Sequence, residues 1–496
     1  MDQSRWRIAG IQHVRSFSGE DEGTDKALKL AYGSLFLPHP PATPDAPLAA
    51  ACAAWSGVDR ISSLPDEILR NVVARLPVKD AARTGALASR WRSLWRSAPL
   101  VFADSNLLQG CRENPLWRPG LEETLGVTND VSDILAAHPG PFRCVQITCC
   151  YLDMNREKIK GWLKLVAGKG VQELAFINRP WPLDLPLPTT LFSCTSLTRL
   201  HIGAWKLPST ATLPDAVAFP HLFLTLITMK DQDLAFLLER SPVLEVLTII
   251  TSQRDVRLCL ASRSLRCLQL GMSCLGDFTV AEAPRLERFF LLMTHRIRGN
   301  KFSRIKIGNA PNMRMLGYWP PGQHELQIGN TIIEVSPSTI IPSVKILALQ
   351  VHFEVRNEVK TVPTFLKCFP NVETLHIHSV KVDRPTGKVS LKFWQEACPI
   401  GCLQHVKKLV IHGFQGNKSE HAFIKFVAER AHALKMMVIF LCLESFSSSN
   451  CLDSKMRPFF TVKCASKDIK VIRFKLRTSP TPWSFIMAAD VSCKPF

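Results

Sequence analysis

A six-residue unit, apolar–x–x–Leu–x–apolar, returns along most of this chain. It reads VQELAF from Val171, LTRLHI from Leu197, LEVLTI from Leu244 and LRCLQL from Leu265. It continues as LERFFL from Leu286, VKILAL from Val344, VETLHI from Val372 and VKKLVI from Val406. Weaker copies start near Cys144, Leu222 and Met313. Leu244, Leu265 and Leu286 stand 21 residues apart, and other steps run from about 22 to 34. The Leu–x–apolar pair alternates sides as a strand does, and the apolar residue before it packs the turn beneath. One such unit cannot close its own core, so neighbours must stack. An α/β fold of serially packed units follows.

The pattern resembles an irregular leucine-rich repeat, expected over residues 130–400. The other reading of short apolar runs is an unrelated α/β domain. Eight clear copies in one orientation, several after a Ser-Pro, Ala-Pro or Phe-Pro break, favour repeats. Short helices are expected between strands. One is Asp233 to Arg240 (DLAFLLER), which leads through Ser241-Pro242 to the next unit. Another is Pro363 to Cys368, which leads through Phe369-Pro370-Asn371. The expected result is an irregular solenoid.

Residues 59–105 have a different character. Pro65 suits the first turn of a helix, where no backbone donor is needed. Asp66 and Glu67 then complement the helix dipole. Ile68, Leu69, Val72, Val73 and Leu76 give that helix a broad apolar face, and Pro77 ends it. A second helix is expected from Lys79 to about Ser89, with a small inner face of Ala82, Gly85 and Ala86. In the third segment Trp91, Leu94 and Trp95 have helical spacing, and Arg90, Arg92 and Arg96 point elsewhere. About 40 residues bury little surface alone, so some of these apolar groups should remain exposed.

The succession LPDEIL, LPVKDA, SRWRSLW resembles a plant-type F-box, a small three-helix module. The resemblance implies docking onto the Skp-family adaptor of a cullin–RING ubiquitin ligase. The adaptor-binding set it implies is Leu64, Pro65, Ile68, Leu69, Leu76, Pro77, Val78, Leu87, Trp91, Leu94 and Trp95. Gly85 and Ala88 depart from the pattern, standing where plant members often carry a hydroxyl residue.

Residues 401–496 leave the repeat period. A strand ending at Gly413-Phe414 is followed by SEHAFIKFVAERAHAL, Ser419 to Leu434, with amphipathic helical spacing. A strand from Met436 to Phe440 comes next, and the tail from Arg473 allows one more. Strand, glycine turn, helix, strand resembles the α+β FBD domain that follows repeats in plant F-box proteins. At the other end, residues 1–58 contain five prolines between Leu37 and Pro47 and are expected to be a disordered Pro/Ala-rich segment.

Composition narrows the function. No run of 18 apolar residues exists, so no membrane-spanning helix is expected. The first 20 residues lack the apolar core of a secretory signal. The 16 cysteines are scattered, with no paired CxxC motifs, so reduced thiols in the nucleus or cytoplasm are expected. His376 and His378 could share a sheet face as a metal pair does, but no third ligand is evident. No phosphate loop, GxSxG or HExxH motif occurs, so no metal, cofactor or catalytic residue is expected. The net charge is +19, of which residues 401–496 supply +9 from 15 Lys and Arg against 6 Asp and Glu. The basic residues from Lys463 to Arg477 alternate with apolar ones, as on an open strand face.

The sequence therefore implies a non-catalytic substrate-recruiting subunit of an SCF-type ligase. Its F-box would hold the adaptor, and its repeats an unknown target protein. Two alternatives stay open: a nucleic-acid-associated basic protein, and an F-box scaffold that does not degrade its partner.

Overall fold

The computed structural model describes residues 61–476 except 109–120, 151, 153–154, 179–184, 210–218, 251–255, 272–274, 293–303, 330, 334–339, 383–384, 443–445, 447–454, 456–463 and 467–468. The expectation for residues 1–58 lies outside the described residues. Two compact units divide the chain, residues 1–244 and 245–496.

The first unit opens with helices α1 (Asp66–Val73), α2 (Val78–Thr84) and α3 (Ser89–Ser97). Strand β1 (Leu100–Ala103), a 3-10 turn at Asp104–Leu107 and helix α4 (Leu121–Ala137) follow. Next come β2 (Phe142–Ile147), α5 (Arg156–Gly168), β3 (Glu173–Ile177), β4 (Arg199–Gly203), β5 (His221–Thr225) and α6 (Asp231–Glu239). The five strands form a parallel sheet in sequence order. Val145, Leu174, Leu200 and Leu222 share one row of the register, and all four are buried. That row is the leucine column of the repeat, and the weak copies at Cys144 and Leu222 are genuine strands. Helix α5 closes the core with Ile159, Trp162, Leu163 and Val166. Its Trp162 Nε1 donates to Ser132 Oγ on α4 at 2.9 Å.

The second unit contains β6 (Val246–Ile250), β7 (Val256–Ala261), β8 (Cys267–Gly271), β9 (Leu275–Glu282) and β10 (Arg288–Leu292). It continues with β11 (Arg304–Asn309), β12 (Met315–Trp319), β13 (Glu325–Ile328), β14 (Thr331–Ile332) and β15 (Ile346–Val351). Helices α7 (Arg356–Val359) and α8 (Val362–Cys368) lead to β16 (Thr374–Ser379). Last come α9 (Leu391–Ala397), β17 (Lys408–Phe414), α10 (Lys418–Arg430), β18 (Met436–Cys442) and β19 (Lys470–Leu476). One parallel sheet runs β6-β8-β10-β12-β15-β16-β17-β18-β19. A second runs β14-β13-β11-β9-β7.

This second sheet was not foreseen, and it begins in the two 21-residue steps. Such a step spends about five residues on each strand plus two turns, which leaves no room for a helix of ordinary length. A second short strand closes each unit instead. Leu260, Phe278, Val280, Ile305, Ile307 and Leu326 on the second sheet are fully buried. Past Val344, helices return as the backing layer.

Strand exits repeat as well. Ala204, Leu226 and Gly413 have φ of 59°, 53° and 66°, each four residues after its unit leucine. At Gly413 a Cβ would lie 2.7 Å from the Ser379 carbonyl oxygen, so only glycine fits.

Candidate protein-docking site

Helices α1 to α3 sort the implied adaptor-binding residues into two groups. Leu69, Trp91 and Leu94 are buried and, with Val73, make the core of the module. Leu64, Pro65, Ile68 and Leu87 are exposed, with Leu64 at 36%, Ile68 at 50% and Leu87 at 68%. Leu76, Pro77, Val78 and Trp95 are half-buried. Two residues outside that set extend the exposed apolar strip: Ile61 at 58% and Val72 at 41%. Val72 was legible one helical turn beyond Ile68, whereas Ile61 precedes the motif and carries no spacing signal.

Helix α2 corrects the expected second helix. It ends at Thr84, and Gly85, Ala86 and Leu87 each donate a backbone bond three residues back instead of four. Glycine inside a helix costs about 1 kcal/mol, so the run tightens there. The inner residue is Ala81, fully buried, whereas Ala82 and Ala86 are exposed. The helix starts at Val78, one residue earlier than expected. Leu87, past the end of that helix, is left exposed.

The turn that presents Leu64 and Pro65 is held from α3. Arg90 donates to the Leu64 carbonyl at 2.7 Å and to the Ser62 carbonyl. It also pairs with Asp66 at 2.6 Å. Arg90 therefore turns back onto the first helix and not away from it. Arg70 Nε on α1 donates to Ser97 Oγ on α3 at 3.1 Å, closing the other end of the helix pair.

The module is fixed to the repeats behind it. Pro77 bridges Val101, and β1 pairs in parallel with β2. Trp95 meets His138 edge-on at 5.2 Å, and His138 meets Phe142 at 4.9 Å. Asp104, fully buried, makes the tightest joint. Its Oδ2 accepts from the backbone N–H groups of Thr148 (2.8 Å) and Cys149 (2.6 Å). Its Oδ1 accepts from Thr148 Oγ1 at 3.1 Å. Burial pushes the Asp104 carboxyl up, against the pull of these hydrogen bonds. A buried carboxylate is thus pinned across 44 residues of chain.

Glu420 does comparable work near the other end. It is buried, stands at the third position of α10, and completes a capping box with Asn417. Its carboxylate also accepts from Ser379 Oγ at 2.6 Å, tying α10 to β16. His376 and His378 do share one face of β16, and both are buried. His376 stacks on His412 at 5.7 Å. No group of three or more metal-ligating side chains occurs among the described residues.

A compact helical module with an apolar outer strip, fused to parallel-stranded repeats and a capped α+β end, defines a class of modular docking proteins. Three family models match in that order: "F-box domain" over residues 61–102, "FBD-associated F-box protein At5g56370, LRR repeats" over 159–377, and "FBD" over 395–439. The chain carries the domains of the plant F-box/FBD/leucine-rich-repeat family.

It is 30% identical over 200 residues to the F-box/LRR-repeat protein At3g59200 of Arabidopsis thaliana, covering 39% of this chain and 36% of that one. F-box/LRR-repeat protein 13 of the same plant is 24% identical over 426 residues, covering 78% of this chain and 90% of that one. The FBD-associated F-box protein At5g60610 is 25% identical over 411 residues, covering 76% and 98%. Against three of the relatives the chain spans half or less of the relative's own length, at 49%, 36% and 46%. No helix among the described residues is long and apolar enough to cross a membrane.

Proposed function

We propose that this chain is the substrate-recruiting subunit of an SCF-type cullin–RING ubiquitin ligase. One observation carries the reading: Ile61, Leu64, Ile68, Val72 and Leu87 stay exposed on a module whose core is already closed by Leu69, Val73, Trp91 and Leu94. Exposed apolar side chains gathered on one small module mark a protein interface. A helical apolar strip suits a groove on the Skp-family adaptor. The half-buried Leu76, Pro77, Val78 and Trp95 border it. Leu69, Trp91 and Leu94 support it from beneath. The chain supplies proximity between a target and the transferring subunits and no covalent step of its own. This role belongs in the nucleus or cytoplasm.

Capture of the full chain by a recombinant Skp-family adaptor tests the reading. Wild type should be retained, and Leu64→Ala/Pro65→Ala/Ile68→Glu should not. Equal retention of both, or of neither, would sink it. Whether the target is then degraded is read from its lifetime after depletion of this chain. An unchanged lifetime favours the scaffold role.

A further inference from the structure

Outside the F-box strip, β19 also keeps large apolar side chains exposed, with Phe474 at 46%. Residues two apart on a strand face the same way. The parallel register carries each such row across β17, β18 and β19. Lys408, Met436 and Lys470 form the first row, and Val410, Val438 and Ile472 the second. The third row is aromatic. His412 stacks on Phe440 at 4.8 Å, and Phe440 on Phe474 at 5.0 Å, with planes 13° and 16° apart. Burial fades toward β19. Val410 and His412 are buried, Met436, Phe440 and Ile472 half-buried, and Lys470 and Phe474 exposed.

The rim beside this face changes its charge pattern at the same strands. Earlier in the second unit, the position before each strand reads Glu245, Arg266, Glu287, Arg314, Lys345, Glu373 and Lys407, so an acid recurs among the bases and pairs with them. Arg266 lies 3.8 Å from Glu245 and 2.9 Å from Glu287. Glu373 lies 3.7 Å from Lys345 and 2.7 Å from Lys407. Past Lys407 no acid follows at this position. Lys435 comes next, and the backbone N–H of Lys470 bonds to its carbonyl at 2.9 Å. Neither lysine has an ion-pair partner among the described residues. In sequence, Lys467 and Asp468 offset each other, which leaves the positive excess in place.

We propose that this face of β17–β19 binds an extended acidic segment of the recruited protein. Its carboxylates would meet Lys435 and Lys470. An apolar or aromatic side chain would cover the outer face of Phe474. The proposal rests on the reading of this chain as a recruiting subunit and extends the target-binding surface from the repeats to the FBD-like end. A single-stranded nucleic acid fits less well, because it needs several open ring faces for successive bases. Here the rings stack on one another, so among the described residues Phe474 is the one exposed ring of the row. Glu373 also interrupts the cationic line that a phosphate chain would follow.

The probe is a fluorescein-labelled twelve-residue peptide alternating glutamate with leucine and phenylalanine, titrated into the full-length chain by anisotropy. Wild type should bind it, with affinity falling as salt rises. Lys435→Glu/Lys470→Glu should weaken binding at least about tenfold, and Phe474→Ala about threefold, since rim charges and aromatic anchors both contribute. Lys164→Glu, an exposed lysine on α5, should bind as wild type does. Three results would overturn the proposal: an unaffected double reversal, an equal loss in Lys164→Glu, or tighter binding of a twelve-nucleotide DNA single strand. Adaptor capture of the same proteins depends on residues 61–95. Lost peptide binding with capture intact is therefore a failure of this face and not of the F-box reading.

Discussion

The guanidinium of Arg90 on α3 sits 2.6 Å from the Asp66 carboxylate at the start of α1 and also holds the Leu64 carbonyl at 2.7 Å. The two side chains are about half exposed, so the ion pair alone contributes only about 0.5 kcal/mol to folding. Its larger effect is to set the turn that presents Leu64 and Pro65. Arg90→Lys keeps the charge but cannot fork to both acceptors. It should weaken adaptor capture several-fold while leaving Tm nearly unchanged. Asp66→Asn combined with it should add little further loss. Fully additive losses in that double-mutant cycle would show that the two residues do not act together.

Exposed and buried members of the docking module should respond differently. Ile68→Glu and Leu87→Glu place a charge on an exposed strip, so Tm should hold while adaptor capture falls at least about tenfold, some 1.4 kcal/mol. Leu69→Ala and Leu94→Ala empty the core and should lower stability by about 2–5 kcal/mol. Chemical denaturation and adaptor titration of the four variants separate the two groups. A large stability loss from Leu87→Glu would contradict its exposed position.

Asp104 allows a test of the joint between F-box and repeats. Both backbone N–H groups use Oδ2, so an asparagine carbonyl can replace it while the amide faces Thr148 Oγ1. Asp104→Asn should therefore fold, whereas Asp104→Ala takes the acceptor from two buried backbone N–H groups and the Thr148 hydroxyl, at about 1–3 kcal/mol each. Burial raises this carboxyl in the folded state above the 3.8 of the free group. The folded chain therefore holds the proton longer, and stability falls as pH rises between the two values. Thermal melts of Asp104→Asn should lack that component.

Two buried histidines act in the opposite sense. Burial lowers His201 from 6.5 to about 3, and His378 from 6.5 to about 4. Both fold as neutral rings, so their contribution is intact above pH 6.5 and is lost as pH falls toward those values. His378→Gln should flatten the decline in Tm between pH 6.5 and 4. An unchanged profile would mean that His378 is not held neutral.

At the FBD-like end, Asn417→Ala removes the cap of α10 and should cost about 1 kcal/mol. Glu420→Ala should cost more, because it strips the Ser379 hydroxyl and the Gln415 and Asn417 amides of one shared acceptor. Hydrogen exchange should show α10 opening more often in both variants. Greater loss in Asn417→Ala would reverse the assigned importance.

The repeat strands were readable because their signal is local. Leu200 and Ile202, or Leu375 and Ile377, declare a strand by alternation alone. The helix at DLAFLLER was equally plain and runs Asp231–Glu239. The second sheet was not readable, since nothing in VRLCLA (Val256–Ala261) says that its partner is Leu275–Glu282 and not the strand just before it. In the F-box, sequence located the module and most of its apolar residues. It could not sort Leu69 from Ile68, because neighbours on a broad apolar face differ only in which side meets α3.

The sequence by itself determined the order of modules, the strand of each repeat and the lack of familiar catalytic motifs, since these rest on spacing within a few residues. Tertiary structure decided which leucines are available to a partner, that Arg90 reaches back to Asp66, and that Asp104 bonds a loop 44 residues away. It also aligned His412, Phe440 and Phe474 from three strands into one stack. The reason is common to all of these. Exposure, long-range hydrogen bonding and cross-strand stacking depend on residues far apart in sequence, and packing of the whole core sets their distances.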